Sequence, residues 1–193
     1  MKNFKLLTAG LLLAAIAAPA AAVDSVFTAT LTGPKESPPN TSPGTGTATV
    51  TINQDQNTMR VQETFRNLLQ PTTESHIHCC TDVPGTGTST IAIDLKEFPL
   101  GVTSGSYDHT FNMLDASNYD QAFIDINGGT TSQAFSALIG GIEDGKAYAN
   151  IHTQLYLDGE IRGFLAPIPE PETYAMLLAG LALMGAVARR HRN

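Results

Sequence analysis

Positive charge is scarce in this chain. Its 193 residues include 11 Lys and Arg against 18 Asp and Glu. Lys2 and Lys5 stand at the start, and Arg189, Arg190 and Arg192 at the end. Residues 23–168 hold six cations and sixteen acids, a net charge of about −10. That balance excludes nucleic acid as a partner, because little would neutralise its phosphates. Cysteine is almost missing: Cys79 and Cys80 are the only two, and they are adjacent. Catalytic signatures are lacking as well. No nucleophile elbow is present, and Gly44-Thr45-Gly46 and Gly85-Thr86-Gly87 lack the following helix of a phosphate loop and read as turns. No Asp-rich calcium loop occurs at regular spacing. Hydrolase, nucleotide-binding and calcium-binding roles are disfavoured accordingly.

Long apolar runs occur only at the two ends. Residues 1–22 combine Lys2 and Lys5, an apolar run from Leu6 to Ala18 and a small-residue close at Ala20-Ala21-Ala22. This is the pattern of a secretory signal peptide, read by signal peptidase, and the run is shorter than the roughly 20 residues of a bilayer span. Residues 169–193 begin with Pro169-Glu170-Pro171, continue through an apolar stretch from Tyr174 to Ala188 and end in Arg189-Arg190-His191-Arg192. An apolar helix with a cationic stop would cross the inner membrane transiently, its arginines cytoplasmic and the domain outside. This tail resembles a PEP-CTERM sorting signal, which implies export in a Gram-negative bacterium and processing by an exosortase near Pro169-Glu170-Pro171. The expected destination is the cell envelope or the extracellular space.

Residues 23–168 remain as one domain, long enough for a full core. Short, Thr-rich and β-branched segments recur over Val26–Thr32, Gly46–Asn53, Met59–Leu68, Ser75–Cys80, Ser89–Leu95, Ser106–Met113, Lys146–Leu155 and Glu160–Leu165, divided by Gly, Pro, Asn and Asp. Short helices are expected over Tyr119–Ile124, capped by Ser117, and over Thr131–Ile142. The fold class that follows is all-β: a Greek-key antiparallel β-sandwich with one or two short helices before the last strands.

Histidine placement points to chemistry. In a strand, side chains alternate between faces, so His76 and His78 share one face while Ile77 takes the other. By the same parity Ala149 and Ile151 face the core, and Tyr148, Asn150 and His152 face away. With Ile161 buried, Glu160 and Arg162 would join them on the outer face. If these strands are neighbours, three imidazoles gather there, a donor set suited to Cu(II) or to Zn(II) with one open position. The competing expectation is a hydrogen-bonded surface that binds nothing. Glu160 is either a carboxylate that orients a histidine or half of a local ion pair with Arg162. Cys79 and Cys80 are candidates for a vicinal disulfide. Regular strand parity puts Cys80 on the histidine face, which leaves its thiolate as an alternative ligand, and two reduced cysteines are the third possibility.

The segments Phe27-Thr28-Ala29-Thr30-Leu31-Thr32-Gly33, Glu36 with Pro38-Pro39, Gly46-Thr47-Ala48, His76-Ile77-His78, Ala147 to Thr153, and Gly159-Glu160-Ile161-Arg162-Gly163 together resemble a CHRD domain. The resemblance implies an all-β extracellular module and carries no uniform activity. The His-x-His strand with a distant third histidine is also similar to the copper site of Cu/Zn superoxide dismutases, which would map paired ligands onto His76 and His78 and a late ligand onto His152. A counterpart of the dismutase zinc loop is lacking, and His109 has no motif around it. The reading is an exported binding or structural module of the envelope or extracellular polymer, with polysaccharide or a surface protein as partner and a three-histidine copper or zinc site. The alternative is a copper- or zinc-dependent redox metalloenzyme.

Overall fold

Alternation decides which side of each strand meets the core. The computed structural model describes residues 24–168 with Leu178, Gly180, Leu181, Ala182, Met184 and Arg189 of the tail. The expected signal peptide and most of the expected tail helix lie outside the described residues. Among the described residues, no helix is long and apolar enough to cross a membrane.

The strands are β1 (Ser25–Thr32), β2 (Thr45–Asn53), β3 (Thr58–Arg66), β4 (Thr72–His78), β5 (Ile91–Asp94), β6 (Gly105–Asn112), β7 (Tyr148–Thr153), β8 (Ile161–Phe164) and the two-residue β9 (Ala166–Pro167). All eight expected strands form, and β9 was too short to be anticipated. Pairing is antiparallel throughout, in the order β5-β4-β7-β8-β1-β2-β3-β6, with β9 also on β1. The architecture is all-β and sandwich-like, but its hydrogen bonding runs unbroken through one curled sheet. Curling brings the two ends of that sheet together. Ile93 on β5 and Phe111 on β6 belong to one buried cluster, Phe65 stacks on Phe98 at 5.3 Å, and Tyr107 Oη donates to Lys96 O at 2.9 Å.

Two helices pack into the same cluster, α1 (Gln121–Ile126) through Phe123 and Ile124, and α2 (Thr131–Glu143) through Phe135, Leu138 and Ile142. Their caps differ from the sequence expectation. Asp115 accepts from Ser117 N and opens a 3-10 turn, Asp120 caps α1, and Thr130 caps α2. Asp120 Oδ1 accepts from Ala122 N, so the first helix starts there, while Ser117 N donates to Asp115 Oδ1 and its segment becomes a separate turn.

Ile77, Ile151 and Ile161 are all fully buried, as the parity requires. Polar residues share their side of the sheet, Glu63 and Ser75 among them. Glu63, on β3 between Val61 and Phe65, is 1 % exposed, and its Oε2 lies 3.0 Å from Ser75 Oγ on β4. The single hydroxyl proton of Ser75 also reaches Asn150 O on β7, at 2.9 Å. If that proton goes to the carbonyl, Glu63 must donate to Ser75, so a protonated carboxyl completes the chain Glu63, Ser75, Asn150. Burial pushes Glu63 from its ordinary 4.5 up to about 8, the Ser75 hydrogen bond opposing. Between those two values the folded chain holds a proton that the unfolded chain has released. Stability therefore falls as pH rises through this window, at most by about 1.4 kcal/mol per pH unit. Glu63→Gln, neutral at every pH, should flatten that fall when denaturant midpoints are compared from pH 5 to pH 8. Parallel profiles for parent and variant would show Glu63 to be ionised in the fold.

Candidate metal centre

β4, β7 and β8 lie side by side, and their register sets the site. His76 pairs with Asn150 and Asn150 with Arg162, while His78 pairs with Tyr148 and Glu74 with His152. These side chains occupy the face opposite the isoleucine core. That face is not open to solvent, as simple alternation would suggest. His76, His78 and His152 are 4 %, 9 % and 7 % exposed, because three connections roof them. The β1–β2 connection brings Lys35 O and Glu36 to Arg162, the β4–β5 connection brings Gly87 O to Arg162 and Ser89 O to His78, and the β7–β8 connection brings Leu157 O to His152.

The hydrogen bonds assign tautomers. His78 Nδ1 lies 2.9 Å from Ser89 O and His152 Nδ1 lies 2.8 Å from Leu157 O. A carbonyl oxygen only accepts, so both Nδ1 atoms carry protons and both Nε2 atoms, in the neutral ring, keep their lone pairs. His152 Nε2 faces His76 Nδ1 at 3.1 Å, and His78 Nε2 is buried with no hydrogen-bond partner among the described residues. One ring nitrogen from each histidine lies within 4.8 Å of the other two. Ligand nitrogens at about 2.0–2.1 Å from one ion stand roughly 3–4 Å apart, so a small closure makes a first shell. His76 has its outward carboxylates too: its Nε2 is 3.7 Å from Glu74 and 3.9 Å from Asp94. On binding through Nδ1, its proton would move to Nε2 and face those acceptors. Each imidazole then has one nitrogen for an ion and one for an anchoring oxygen. Burial, then His152 and His78, push His76 down to about 3, which keeps that ring neutral. The three imidazoles could hold a metal ion.

Other expected participants lie elsewhere. Glu160 does not face the histidines. The glycine before it, Gly159, has φ 125°, and the irregular entry to β8 turns the Glu160 carboxylate toward Ser42 Oγ (2.5 Å), Leu69 N (2.7 Å) and Thr153 Oγ1 (2.7 Å). The local pair with Arg162 is likewise not formed; Arg162 Nε stands 3.7 Å from Glu36 instead. β4 ends at His78, so strand parity does not extend to Cys80. Cys79 and Cys80 are bonded to each other, and both sulfurs abut Gly141 of α2, away from the imidazoles. His109 stands apart on β6, 3.7 Å from Glu97. Sequence reasoning missed Glu74 and Asp94 as the carboxylates beside His76, although Glu74, two residues before His76, was within reach of the same parity argument.

Residues 27–165 match the CHRD domain over most of the chain. The chain belongs to the CHRD domain family. Residues 167–192 of this CHRD protein match the PEP-CTERM protein-sorting motif, which implies export, processing by an exosortase and residence at the cell envelope or surface. No curated protein and no solved structure is similar enough to match.

Beside the histidines of the CHRD domain, a second buried group holds the roof down. Arg162 donates to Lys35 O (2.5 Å) and Gly87 O (3.0 Å), lies 4.8 Å over the Tyr148 ring and 5.6 Å from that of Phe164, and Tyr148 in turn stacks on His78 at 4.7 Å. Burial raises Glu36 to about 7, with Arg162 pulling the other way. Breaking a buried pair costs about 3–5 kcal/mol, because the partner charge is left uncompensated. Arg162→Met should therefore destabilise by about 3 kcal/mol in denaturant titrations, more at pH 8 than at pH 6, since Glu36 ionises between them. Adding Glu36→Gln should recover part of the loss. A cost indifferent to pH and to Glu36→Gln would mean that the two side chains act independently.

Proposed function

We propose that this CHRD protein is an exported binding module of the cell envelope or extracellular polymer, in which His76, His78 and His152 hold one Cu(II) or Zn(II) ion. The observation that carries this reading is the grouping of ring nitrogens: two imidazoles are tied to backbone carbonyls through Nδ1, and one nitrogen of each of the three lies within 4.8 Å of the other two. His76 Nδ1 and His152 Nε2 bond each other without an ion, which leaves His78 Nε2 with no partner among the described residues. The ion would pin the β4–β7 pair to its roof, and the roofed surface would meet polysaccharide or a surface protein. The acidity of the domain supports a cationic ligand.

The test is a metal titration of the mature protein, purified without a His tag. His78→Ala and His152→Ala should each weaken copper and zinc binding by an order of magnitude or more, and saturating metal should raise the parent's melting temperature, because only the folded chain assembles the three ligands. Calorimetric curves unchanged in the double variant would remove the metal from this reading. Turnover of superoxide or peroxide by the copper-loaded parent, lost in His78→Ala, would favour a redox enzyme over a binding module.

Processing is tested separately in a host that has an exosortase. The released protein should lack the segment from about Thr173 onward, and Pro169→Ala with Pro171→Ala should retain the precursor in the membrane. Intact C-terminal peptides in mass spectra of the secreted protein would refute tail removal.

A further inference from the structure

Three histidines leave a fourth position to be filled, and one residue beside them carries an unexplained oxygen. Asn150 lies in the middle of β7, in register with His76 and between Tyr148 and His152 on the same strand face. It is 2 % exposed. Its amide orientation is set on the nitrogen side. Nδ2 donates to Asp158 O at 3.4 Å and points toward the Glu36 carboxylate, close enough to favour its charge though not aligned as a hydrogen bond to Oε1. Gly159 makes room for this meeting: a Cβ there would strike Asn150 Nδ2 and come within 2.6 Å of Glu36 Oε1. Turning the amide over would set its oxygen against two acceptors, so Oδ1 is held on the opposite side.

The strand register sets Asn150 opposite His76 and, on the same strand face, next to His152. His78 Nε2 and Asn150 Oδ1 cannot hydrogen-bond each other. His78 Nε2 keeps its lone pair because Nδ1 donates to Ser89 O, and Asn150 Oδ1 is an acceptor only. Both are buried, and neither has a hydrogen-bond partner among the described residues. Buried lone pairs without partners cost free energy unless a cation or a donor meets them.

We propose that Asn150 supplies, through Oδ1, the fourth ligand of the ion held by His76, His78 and His152. This rests on the metal reading above and sharpens it, because it turns an open three-nitrogen site into a closed site of three nitrogens and one oxygen. An oxygen in the fourth position suits Zn(II), Co(II) and Cu(II) and discriminates against Cu(I), which prefers softer donors. A closed shell is the mark of a structural or storage site.

Co(II) is the probe, since its visible absorption reports coordination number and ligand type, with Zn(II) competition giving affinity. The parent should show the intense bands of four-coordinate Co(II). Asn150→Ala should weaken Zn(II) binding about tenfold and reduce those bands as water enters the shell. Asn150→Asp, which keeps an oxygen at the same reach, should restore both the bands and the affinity. Restoration by Asp separates ligation from a merely structural role, and thermal unfolding of the metal-free proteins shows whether each variant is folded. Bands and affinity unchanged in Asn150→Ala, with binding still lost in His78→Ala, would overturn the inference and leave the three-histidine site standing. No binding of Co(II) or Zn(II) by the parent would overturn both.

Discussion

Strand β7 has no solvent-facing side. All six residues from Tyr148 to Thr153 are buried. Ala149 and Ile151 are covered by the core, and Tyr148, Asn150 and His152 by the roof of connections. A polar side chain in such a place must find its partners within the protein, since each unmet group costs on the order of 1–3 kcal/mol. Most do. Tyr148 Oη accepts from Ser89 N, His152 Nδ1 donates to Leu157 O, and Arg162, from the next strand, donates to Lys35 O and Gly87 O. What is left over is concentrated rather than scattered. Four of the five buried unpartnered side-chain atoms among the described residues belong to His78, Asn150, Glu36 and Ser89, all on this roofed face. That concentration is what the metal proposal rests on.

The faces of the strands could be read in the sequence because a period of two needs only a few fixed points. Ile77, Ile151 and Ile161 supply them, and from them follows the shared face of His76, His78 and His152. Parity says nothing about what lies above a face. The roof depends on where the segments before β2, between β4 and β5 and between β7 and β8 fold back, and their Gly, Pro, Ser and Asp content marks only turns. Hence histidines expected at a wet surface are dry. Parity also fails where a strand stops. Glu160 sits just before β8 and Cys80 beyond the end of β4, so the alternation that worked at Ile161 and His78 misplaced both neighbours. The ion-pair partner of Arg162, Glu36, lies 126 residues earlier in the chain, and no local pattern could announce it.

The destination implied by the sorting motif agrees with the donor chemistry. Outside the cytoplasm thiols are consumed by oxidation, and here both cysteines are joined to each other. Imidazole keeps its lone pair under the same conditions. A chain bound for the envelope that holds a metal does better with three histidines than with thiolates, and it does better still if the rings cannot take up protons in mild acid. Burial and mutual repulsion among the rings achieve that for His76.

Three buried carboxylates show how unevenly this fold handles charge. Glu160 is met by two hydroxyls and a backbone N–H, Glu36 by a guanidinium, and Glu63 by a proton of its own. The difference follows position. Glu160 lies where the chain enters a strand and backbone donors are free, whereas Glu63 lies in mid-strand, where the N–H groups are already committed to the β2 and β6 ladders. Glu36 lies in the roof and depends on a cation from the sheet below. Arg162 in turn stacks on Tyr148, and Tyr148 on His78, so a single column of rings and guanidinium joins the roof's ion pair to the histidines. An ion bound at His78 would press on that column from one end and the Glu36 charge from the other. Under the proposed metal reading, the stability of the roof and the occupancy of the site would therefore be coupled through side chains that already touch.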